Sequence, residues 1–259
     1  MYTQDLSNNY PIFDSHSHYD DNRFDGVREQ LFAQMQQNGM CGIVTCGCDE
    51  QSSKAAIQLA EQYDFVYAAV GIHPESINSG TTPEQIKALA KQKKCVAIGE
   101  IGLDYYWQTN TREEQIEVFE KQILLACELD LPIIVHDRDA HADTLEILKK
   151  YKPKGVVHCF SGSVEMAKEI INLGLYIGVG GVITFKNARK LPDVVKIIPD
   201  SLLLVETDCP YLAPEPHRGK LCHSGMIKYT AQKIAELRNT DTEQILKLTA
   251  QNAQKLFNI

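Results

Sequence analysis

Residues 12–21 read IFDSHSHYDD, a short apolar run that passes directly into two histidines separated by one residue. An open α/β sheet that binds a dinucleotide carries a glycine-rich phosphate loop after its first strand. This segment has no glycine, so its backbone cannot close on a pyrophosphate. On an extended strand, side chains two residues apart point to one face, so His16 and His18 can bind one metal ion together. The stretch therefore favours a barrel with a metal site over an open sheet.

Length and composition are typical of one large globular domain. The chain has 259 residues, of which 44% are hydrophobic and 23% charged. An eight-stranded β/α barrel typically has about 250 residues and counts as one domain. We therefore expect residues 1–259 to form a single domain.

The sequence indicates a cytoplasmic protein. Its apolar stretches fall short of the roughly 18 uncharged residues of a membrane span. The N-terminal MYTQDLSNNYP has neither the basic nor the apolar segment of a secretory signal. The eight cysteines have no regular spacing, which predicts reduced thiols. We expect neither membrane association nor an obligate protein partner.

The charge balance bears on nucleic-acid binding. The net charge is −8, from 26 Lys and Arg against 34 Asp and Glu. A dedicated duplex-binding protein usually has a basic face, so this class is disfavoured. A nucleic-acid substrate remains compatible with the charge, because bound divalent metals and a few local cations can meet phosphate directly.

Strand-like and helix-like segments alternate along the chain. The predicted strands are Pro11–Phe13, Cys41–Cys46, Phe65–Gly71, Cys95–Gly99, Pro132–Val135, Gly155–Val157, Leu175–Val179 and Leu202–Val205. Helical patterns separate them, including one that begins at Pro83 with Thr82 as its N-cap. Regular alternation predicts a parallel sheet covered by helices. Eight such strands favour closure into a TIM (β/α)8 barrel.

Six metal-binding side chains come at the ends of predicted strands. They are His16, His18, Glu100, His136, His158 and Asp208. Such positions face the mouth of a barrel, where barrel enzymes carry their chemistry. A single buried histidine is more often a hydrogen-bonded core residue, but the agreement of six positions favours a site. Asp14, Asp20 and Asp21 give the first pair an acidic setting. The pattern predicts a site for two divalent metals at the carboxyl ends of the strands.

The two carboxylates have predicted catalytic roles. Glu100 stands in an otherwise apolar segment, where a carboxylate is costly to bury unless it is paired or metal-bound. Its two oxygens can bridge metals about 3.5–4 Å apart. Asp208 can bind a metal, accept a proton from the attacking water and pass it to the leaving group. This combination suits hydrolysis of an ester, amide or phosphodiester, with Mg²⁺, Mn²⁺ or Zn²⁺ as the metal.

Four further residues are candidate substrate contacts. His73 either donates a hydrogen bond to a substrate phosphate or forms hydrogen bonds only with the protein backbone. Arg138 can hold a phosphate through two hydrogen bonds. Arg218 and Lys220 follow the eighth strand, where barrels often bind phosphate, although ordinary surface charges also fit there. The segment Asp104–Trp107 forms an aromatic rim beyond Glu100 that either stacks a base or simply packs.

The motifs HSH, GIHP, GEIGLDYY, HDRDA, HCFSG and ETDCPYLAPEPHRGK, in this order, resemble the TatD family of metal-dependent deoxyribonucleases within the amidohydrolase superfamily. The resemblance runs from about Phe13 to the C-terminus. It implies a TIM barrel with one metal on His16, His18, Glu100 and Asp208, and a second on Glu100, His136 and His158. It also implies a 3′–5′ exonuclease of DNA that acts on single-stranded or frayed ends.

One departure and two alternatives stand beside this interpretation. After HRGK the chain continues with Leu221–Ser224, unlike many relatives, which leaves substrate contacts in that loop open. Cys222 and His223 there could bind an adventitious metal. A metallo-amidohydrolase or an aminoacyl-tRNA deacylase would use the same two-metal site. A non-catalytic binding protein that retains the barrel is the other alternative.

Overall fold

A computed structural model of the protein describes residues 10–107 and 109–259. Eight strands form one sheet in sequential order, and each pairs in parallel with the next. The strands are β1 (Ile12–Ser17), β2 (Met40–Cys46), β3 (Val66–Val70), β4 (Cys95–Asp104), β5 (Ile133–Arg138), β6 (Gly155–Val157), β7 (Tyr176–Val179) and β8 (Leu203–Val205). The predicted TIM-type barrel is confirmed. Residues 1–9, on which the expected absence of a secretory signal largely rests, lie outside the described residues.

Helices connect the strands and cover the sheet. They are α1 (Arg28–Gln37), α2 (Glu50–Gln62), α3 (Pro83–Leu89), α4 (Arg112–Leu129), α5 (His141–Tyr151), α6 (Val164–Asn172), α7 (Leu191–Ile197), α8 (Ile227–Arg238) and α9 (Thr242–Phe257). Capping boxes begin α2, α3 and α4, and Thr82 caps α3 as predicted. In the described part of the chain, each helix is too short or too polar to cross a membrane.

Three strands extend further than the hydropathy pattern predicts. We expected His16, Glu100 and His136 to follow their strands, but they lie within β1, β4 and β5. A polar ligand ends the apolar run without ending the backbone ladder, and Gly102 of β4 still pairs with His136 of β5. These three candidate ligands are therefore fixed on strand backbone, which positions them more rigidly than a loop would.

The barrel interior is filled by one apolar layer and closed by α9. Each strand contributes to this layer, together with the last helix: Phe13, Val44, Cys46, Ala69, Val96, Ala97, Ile134, Val156, Tyr176, Leu204, Ala250, Ala253 and Phe257. The rings of Phe13 and Phe257 stack with centroids 6.2 Å apart. Asn252 of α9 donates to the carbonyls of Asp200 and Leu203, at the start of β8. The helix thus covers the amino ends of the strands, opposite the candidate ligands.

The seam between β1 and β8 brings distant candidate ligands together. Asp208 was expected to end the eighth strand, but β8 ends at Val205 and Asp208 lies beyond it. The amide of Asp208 donates to the carbonyl of His16 at 3.1 Å, and the amide of His18 donates to the carbonyl of Cys209 at 2.7 Å. These backbone bonds hold the segment after β8 against the carboxyl end of β1.

Candidate metal centre

Glu100 lies at the centre of the site, and its two oxygens face different sets of imidazoles. Its Oε2 lies 3.4 Å from Nε2 of His16 and 3.4 Å from Nε2 of His18. Its Oε1 lies 2.7 Å from Nδ1 of His136 and 2.7 Å from Nε2 of His158. One buried carboxylate therefore divides four histidines into two pairs.

Asp208 joins the first of these pairs. Its Oδ1 lies 3.6 Å from Nε2 of His16 and 3.5 Å from Nε2 of His18. Its backbone has φ 56, in the left-handed region that aspartate tolerates better than most residues. We call His16, His18, Asp208 and Glu100 Oε2 the first subsite. The second subsite consists of His136, His158 and Glu100 Oε1.

The donor atoms fit divalent metal ions. Three groups of side chains place their ligand atoms within 4.8 Å of one another: His16–His18–Glu100, His16–His158–Asp208 and His73–Glu100–His136. Imidazole nitrogens together with carboxylate oxygens suit Zn²⁺ and Mn²⁺, and the carboxylates also admit Mg²⁺. The structure brings all six sequence-predicted ligands into one cluster.

The imidazoles favour the ionised form of both carboxylates. Burial alone would raise the pKa of Glu100, but the neighbouring His158, His16 and His73 hold it well below the usual value. Burial likewise opposes ionisation of Asp208, but a hydrogen bond from His18 and the charges of the neighbouring imidazoles together outweigh it and lower the pKa. Both groups are therefore anionic at neutral pH, as metal ligands must be.

His73 faces the second subsite as a neutral imidazole. Its Nε2 lies 3.6 Å from Glu100 Oε1, and its Nδ1 accepts the amide of Glu75 at 3.2 Å. Burial, together with the charge of His136, lowers the pKa of His73 to about 3. A neutral ring that accepts at Nδ1 carries its hydrogen on Nε2. His73 thus directs an N–H at the centre, which suits donation to a substrate oxygen better than metal binding.

A cavity of about 770 Å³ is lined by five of the six candidate ligands and by the aromatic side chains of Trp107 and Tyr211. Tyr106, Trp107 and Tyr211 are 53%, 56% and 49% exposed. The guanidinium of Arg138 lies 4.1 Å from the ring centre of Tyr106, and that of Arg23 lies 4.2 Å from the ring centre of Tyr211. Arg138 and Tyr211 line the cavity, so a cation stacked on an aromatic ring lies beside it at two places.

Sequence reasoning found only part of this rim. Tyr105 turns away from the cavity, because its hydroxyl donates to Asp143 at 2.6 Å. Tyr211 was not singled out, although it stands within the ETDCPYLAPEPHRGK motif beside a candidate ligand. Arg23 lies in a short 3-10 helix after β1 (Asn22–Phe24) without a recognisable motif, so only the fold reveals its position.

Two of the predicted phosphate contacts lie outside the residues that line the cavity. Arg218 is exposed and stacks on Phe185, with its guanidinium 3.7 Å from the ring centre. Lys220 is also exposed, with its Nζ 3.5 Å from Nδ1 of His217. The adventitious metal site considered at Cys222 and His223 has no support among the described residues. Cys222 is fully buried, and neither residue belongs to a group of three candidate metal ligands.

Known proteins share this fold and its motifs. A family model described as TatD related DNase matches residues 13–258. The metal-dependent hydrolase YabD of Bacillus subtilis, itself uncharacterized, is 43% identical over 96% of this chain and 99% of its own length. The 3′-5′ ssDNA/RNA exonuclease TatD of Erwinia tasmaniensis is 32% identical over 96% of this chain and 100% of its own. The crystal structure of the Escherichia coli TatD homolog YJJV superposes with a TM-score of 0.90 at 32% identity, covering 96% of this chain and 98% of that one. The chain therefore belongs to the TatD family of metal-dependent hydrolases.

Proposed function

We propose that this hydrolase cleaves phosphodiester bonds with two divalent cations, one in each subsite, bridged by Glu100. The division of the Glu100 oxygens between two pairs of imidazoles carries this proposal. A carboxylate with both oxygens engaged in this way is suited to hold two cations about 3.5–4 Å apart. We propose Asp208 as the remaining anionic ligand, on the first subsite.

The charge of the cavity supports a requirement for cations. Its lining includes Asp20, Asp21, Asp49 and Glu75 in addition to the ligand carboxylates. These groups would repel a phosphate unless bound cations reverse the local charge. Divalent cations bound here would also lower the pKa of water towards about 7 and neutralise the phosphate oxygens.

The residues of this chain have separate tasks in the proposed reaction. The carboxylate of Asp208 accepts the proton of the attacking water and returns it to the departing oxygen. The Nε2–H of His73 donates to a phosphate oxygen, and Arg138 holds a neighbouring phosphate. Three of the ligands lie on strands, His18 and Asp208 lie at the seam between β1 and β8, and His158 directly follows β6, so their geometry is set before the substrate arrives.

The proposed substrate is the 3′ end of single-stranded or frayed DNA. The exposed rings of Trp107 and Tyr211 can stack bases, and the guanidinium groups beside these rings can meet the backbone. A relative with 32% identity is named a 3′-5′ ssDNA/RNA exonuclease, so we propose the same polarity for this chain. All eight cysteines are free thiols, which supports the cytoplasmic location that we propose.

A substrate panel tests this function. Metal-loaded protein is incubated in parallel with single-stranded DNA labelled at either end, single-stranded RNA, aminoacyl-tRNA and small amides. We expect stepwise loss of nucleotides from the 3′ end of DNA. Cleavage confined to aminoacyl-tRNA or to amides would instead assign the same centre to carbonyl chemistry. A protein that binds DNA without cleaving any substrate in the presence of Mg²⁺, Mn²⁺ or Zn²⁺ would be a binding protein.

Glu100→Gln tests the bridge. The variant loses the negative charge shared by both subsites, so we expect its metal content to fall from two equivalents to at most one. Activity should fall by more than the roughly 10–100-fold typical of changes to residues behind metal ligands. Elemental analysis and turnover on DNA provide the measurements. Glu75→Gln removes a carboxylate from the same cavity and should keep two equivalents; full metal content and normal turnover in Glu100→Gln would rule out the bridge.

A further inference from the structure

Each ligand imidazole has a second ring nitrogen that faces away from Glu100. In the first subsite these outer nitrogens have neutral partners. Nδ1 of His16 lies 3.4 Å from Sγ of Cys46, and Nδ1 of His18 lies 2.9 Å from the carbonyl oxygen of the same residue. A single residue of β2 thus supports both histidines without a charge.

In the second subsite the outer nitrogens face carboxylates. Nε2 of His136 lies 3.0 Å from Oδ2 of Asp104, and Nδ1 of His158 lies 3.5 Å from Oε1 of Glu206. Both carboxylates are buried, with 1% and 0% of their surface exposed. The two subsites therefore differ in the groups behind their imidazoles.

Asp104 is held firmly in this position. Its Oδ1 accepts the amides of Tyr106 and Trp107 at 2.9 and 3.0 Å. The side-chain amide of Gln115 bonds both to its backbone N–H, at 2.8 Å, and to its carbonyl, at 2.9 Å. These bonds leave Oδ2 free to face only His136. A carboxylate restrained this well can define the orientation of the ring that it contacts.

Glu206 occupies a space made by a glycine of β7. A Cβ built on Gly178 would lie 2.3 Å from Oε2 of Glu206, so any larger residue would displace the carboxylate. Its Oε1 accepts the amide of Cys159. Among the described residues, its buried Oε2 and Nδ1 of His158 have no hydrogen-bond partner. Nδ1 of His158 and Oε1 of Glu206 are 3.5 Å apart, beyond the usual N–H···O range of about 2.7–3.2 Å, so the two groups face each other without a formed hydrogen bond.

We propose that Asp104 and Glu206 are positioning residues that strengthen the second subsite, an inference that rests on the two-metal centre proposed above. A carboxylate behind an imidazole accepts its outer N–H, which leaves the lone pair on the inner nitrogen, and raises the basicity of that nitrogen. Among residues 10–107 and 109–259, none supplies the second subsite with a counterpart of Asp208. Its two supporting carboxylates compensate for the missing anionic ligand.

Zinc titration of the metal-free protein tests the proposal without reference to turnover. Isothermal calorimetry is carried out on the wild type, Asp104→Asn and Glu206→Gln. Each variant should bind one of two zinc equivalents about 10–100-fold more weakly, as expected for partners behind metal ligands, and the other equivalent unchanged. Asp143→Asn is the matched control, because it removes a carboxylate that bonds Arg112 and Tyr105, the residue after Asp104.

Proton NMR of the zinc-loaded proteins gives a readout that a general loss of structure would not produce. We expect downfield N–H signals from the outer nitrogens of His136 and His158 in the wild type. Asp104→Asn should change only the signal of His136, and Glu206→Gln only that of His158. If Glu206→Gln fails to fold by circular dichroism, Gly178→Ala displaces the same carboxylate and takes its place.

The outcomes separate the two proposals. Binding of a single zinc equivalent by the wild type would contradict the two-metal centre itself. Two equivalents in the wild type, with both variants unchanged, or with both equivalents weakened alike, would overturn the positioning roles and leave the centre intact. A control variant that weakens zinc binding as much as Asp104→Asn would also overturn them.

Discussion

At the scale of single residues, Asp208 is the proposed proton-transfer group. Its pKa is lowered despite burial, so the carboxylate is ionised at neutral pH and can accept a proton. Asp208→Asn keeps the shape and one ligand oxygen but cannot take up the proton. We expect the variant to retain at least one metal while kcat falls by about 10²–10⁴-fold, the contribution typical of general acid–base catalysis.

The pH dependence of kcat has a defined sign. The pKa of Asp208 in the folded protein lies below the ordinary value. Its contribution to kcat as a proton acceptor is therefore complete at neutral pH and is lost only as the pH falls through that lowered pKa. Steady-state kinetics of the metal-replete variant on a single-stranded oligonucleotide provide the measurement. A kcat close to that of the wild type would leave Asp208 as a ligand only.

We expect the effect of removing a cation on KM to depend on substrate length, and to differ between Arg138 and the pair Arg218 and Lys220. Arg138 lines the cavity, whereas Arg218 and Lys220 are exposed on the loop beyond β8. Arg138→Ala should therefore raise KM for both dinucleotides and longer strands. The double variant Arg218→Ala, Lys220→Ala should raise KM only for longer strands, and its effect should diminish at high salt. Equal KM values across lengths and salt concentrations would make the last two ordinary surface charges.

The sequence predicted which residues join the site better than it predicted what supports them. His136 and His158 could be recognised because a metal-binding residue type ends an apolar run. Asp104 and Glu206 could not, since nothing near them in the chain shows which imidazole they face. A pairing such as that of His158 with Glu206 exists only once β6 and β8 are brought together by the barrel.

At the scale of elements, β4 carries the central ligand, Glu100, and has no room for a side chain at Gly102. Gly102 has φ +150, and a Cβ there would lie 2.0 Å from the carbonyl oxygen of His136. Gly102→Ala should lower the free energy of unfolding by more than the roughly 1–3 kcal/mol of an unfavourable backbone conformation, and should weaken zinc binding by displacing His136. Urea unfolding and zinc titration measure the two effects.

Gly80→Ala is the control for this prediction. Gly80 also has a positive φ, +84, but a Cβ there has nothing within 4 Å. This variant should show the backbone effect alone, with zinc binding unchanged. If Gly102→Ala binds zinc as the wild type does, the close approach of β4 and β5 does not determine the position of His136. The length of β4 could not be predicted from sequence, because its polar Glu100 and two glycines interrupt the apolar pattern on which the prediction relied.

At the scale of the whole molecule, the two ends of the barrel have different tasks. The candidate ligands lie at the carboxyl ends of the strands, and α9 covers the opposite end with Phe257 against Phe13. In barrels of this kind the carboxyl end carries the chemistry and the amino end contributes stability. The alternation of eight strands with helices was enough to predict the barrel. The closure of the barrel by α9 at the amino ends of the strands could not be predicted, because it depends on packing between the first and last elements of the chain.

Phe257→Ala separates stability from chemistry. The ring is 3% exposed, so its removal leaves a cavity in the apolar layer of the barrel interior and should lower the free energy of unfolding by about 3–5 kcal/mol. The variant should nevertheless bind two zinc equivalents and keep its kcat at temperatures well below its Tm, since Phe257 packs at the amino ends of the strands, opposite the candidate ligands. Leu124→Ala, at a position 53% exposed, should change stability by no more than about 0.5 kcal/mol.

Urea unfolding followed by fluorescence and circular dichroism should give one coincident transition in both variants, as the proposed single domain requires. Loss of zinc binding in Phe257→Ala under native conditions would mean that the apolar layer sets the ligand geometry directly, and two separate transitions would contradict the single domain.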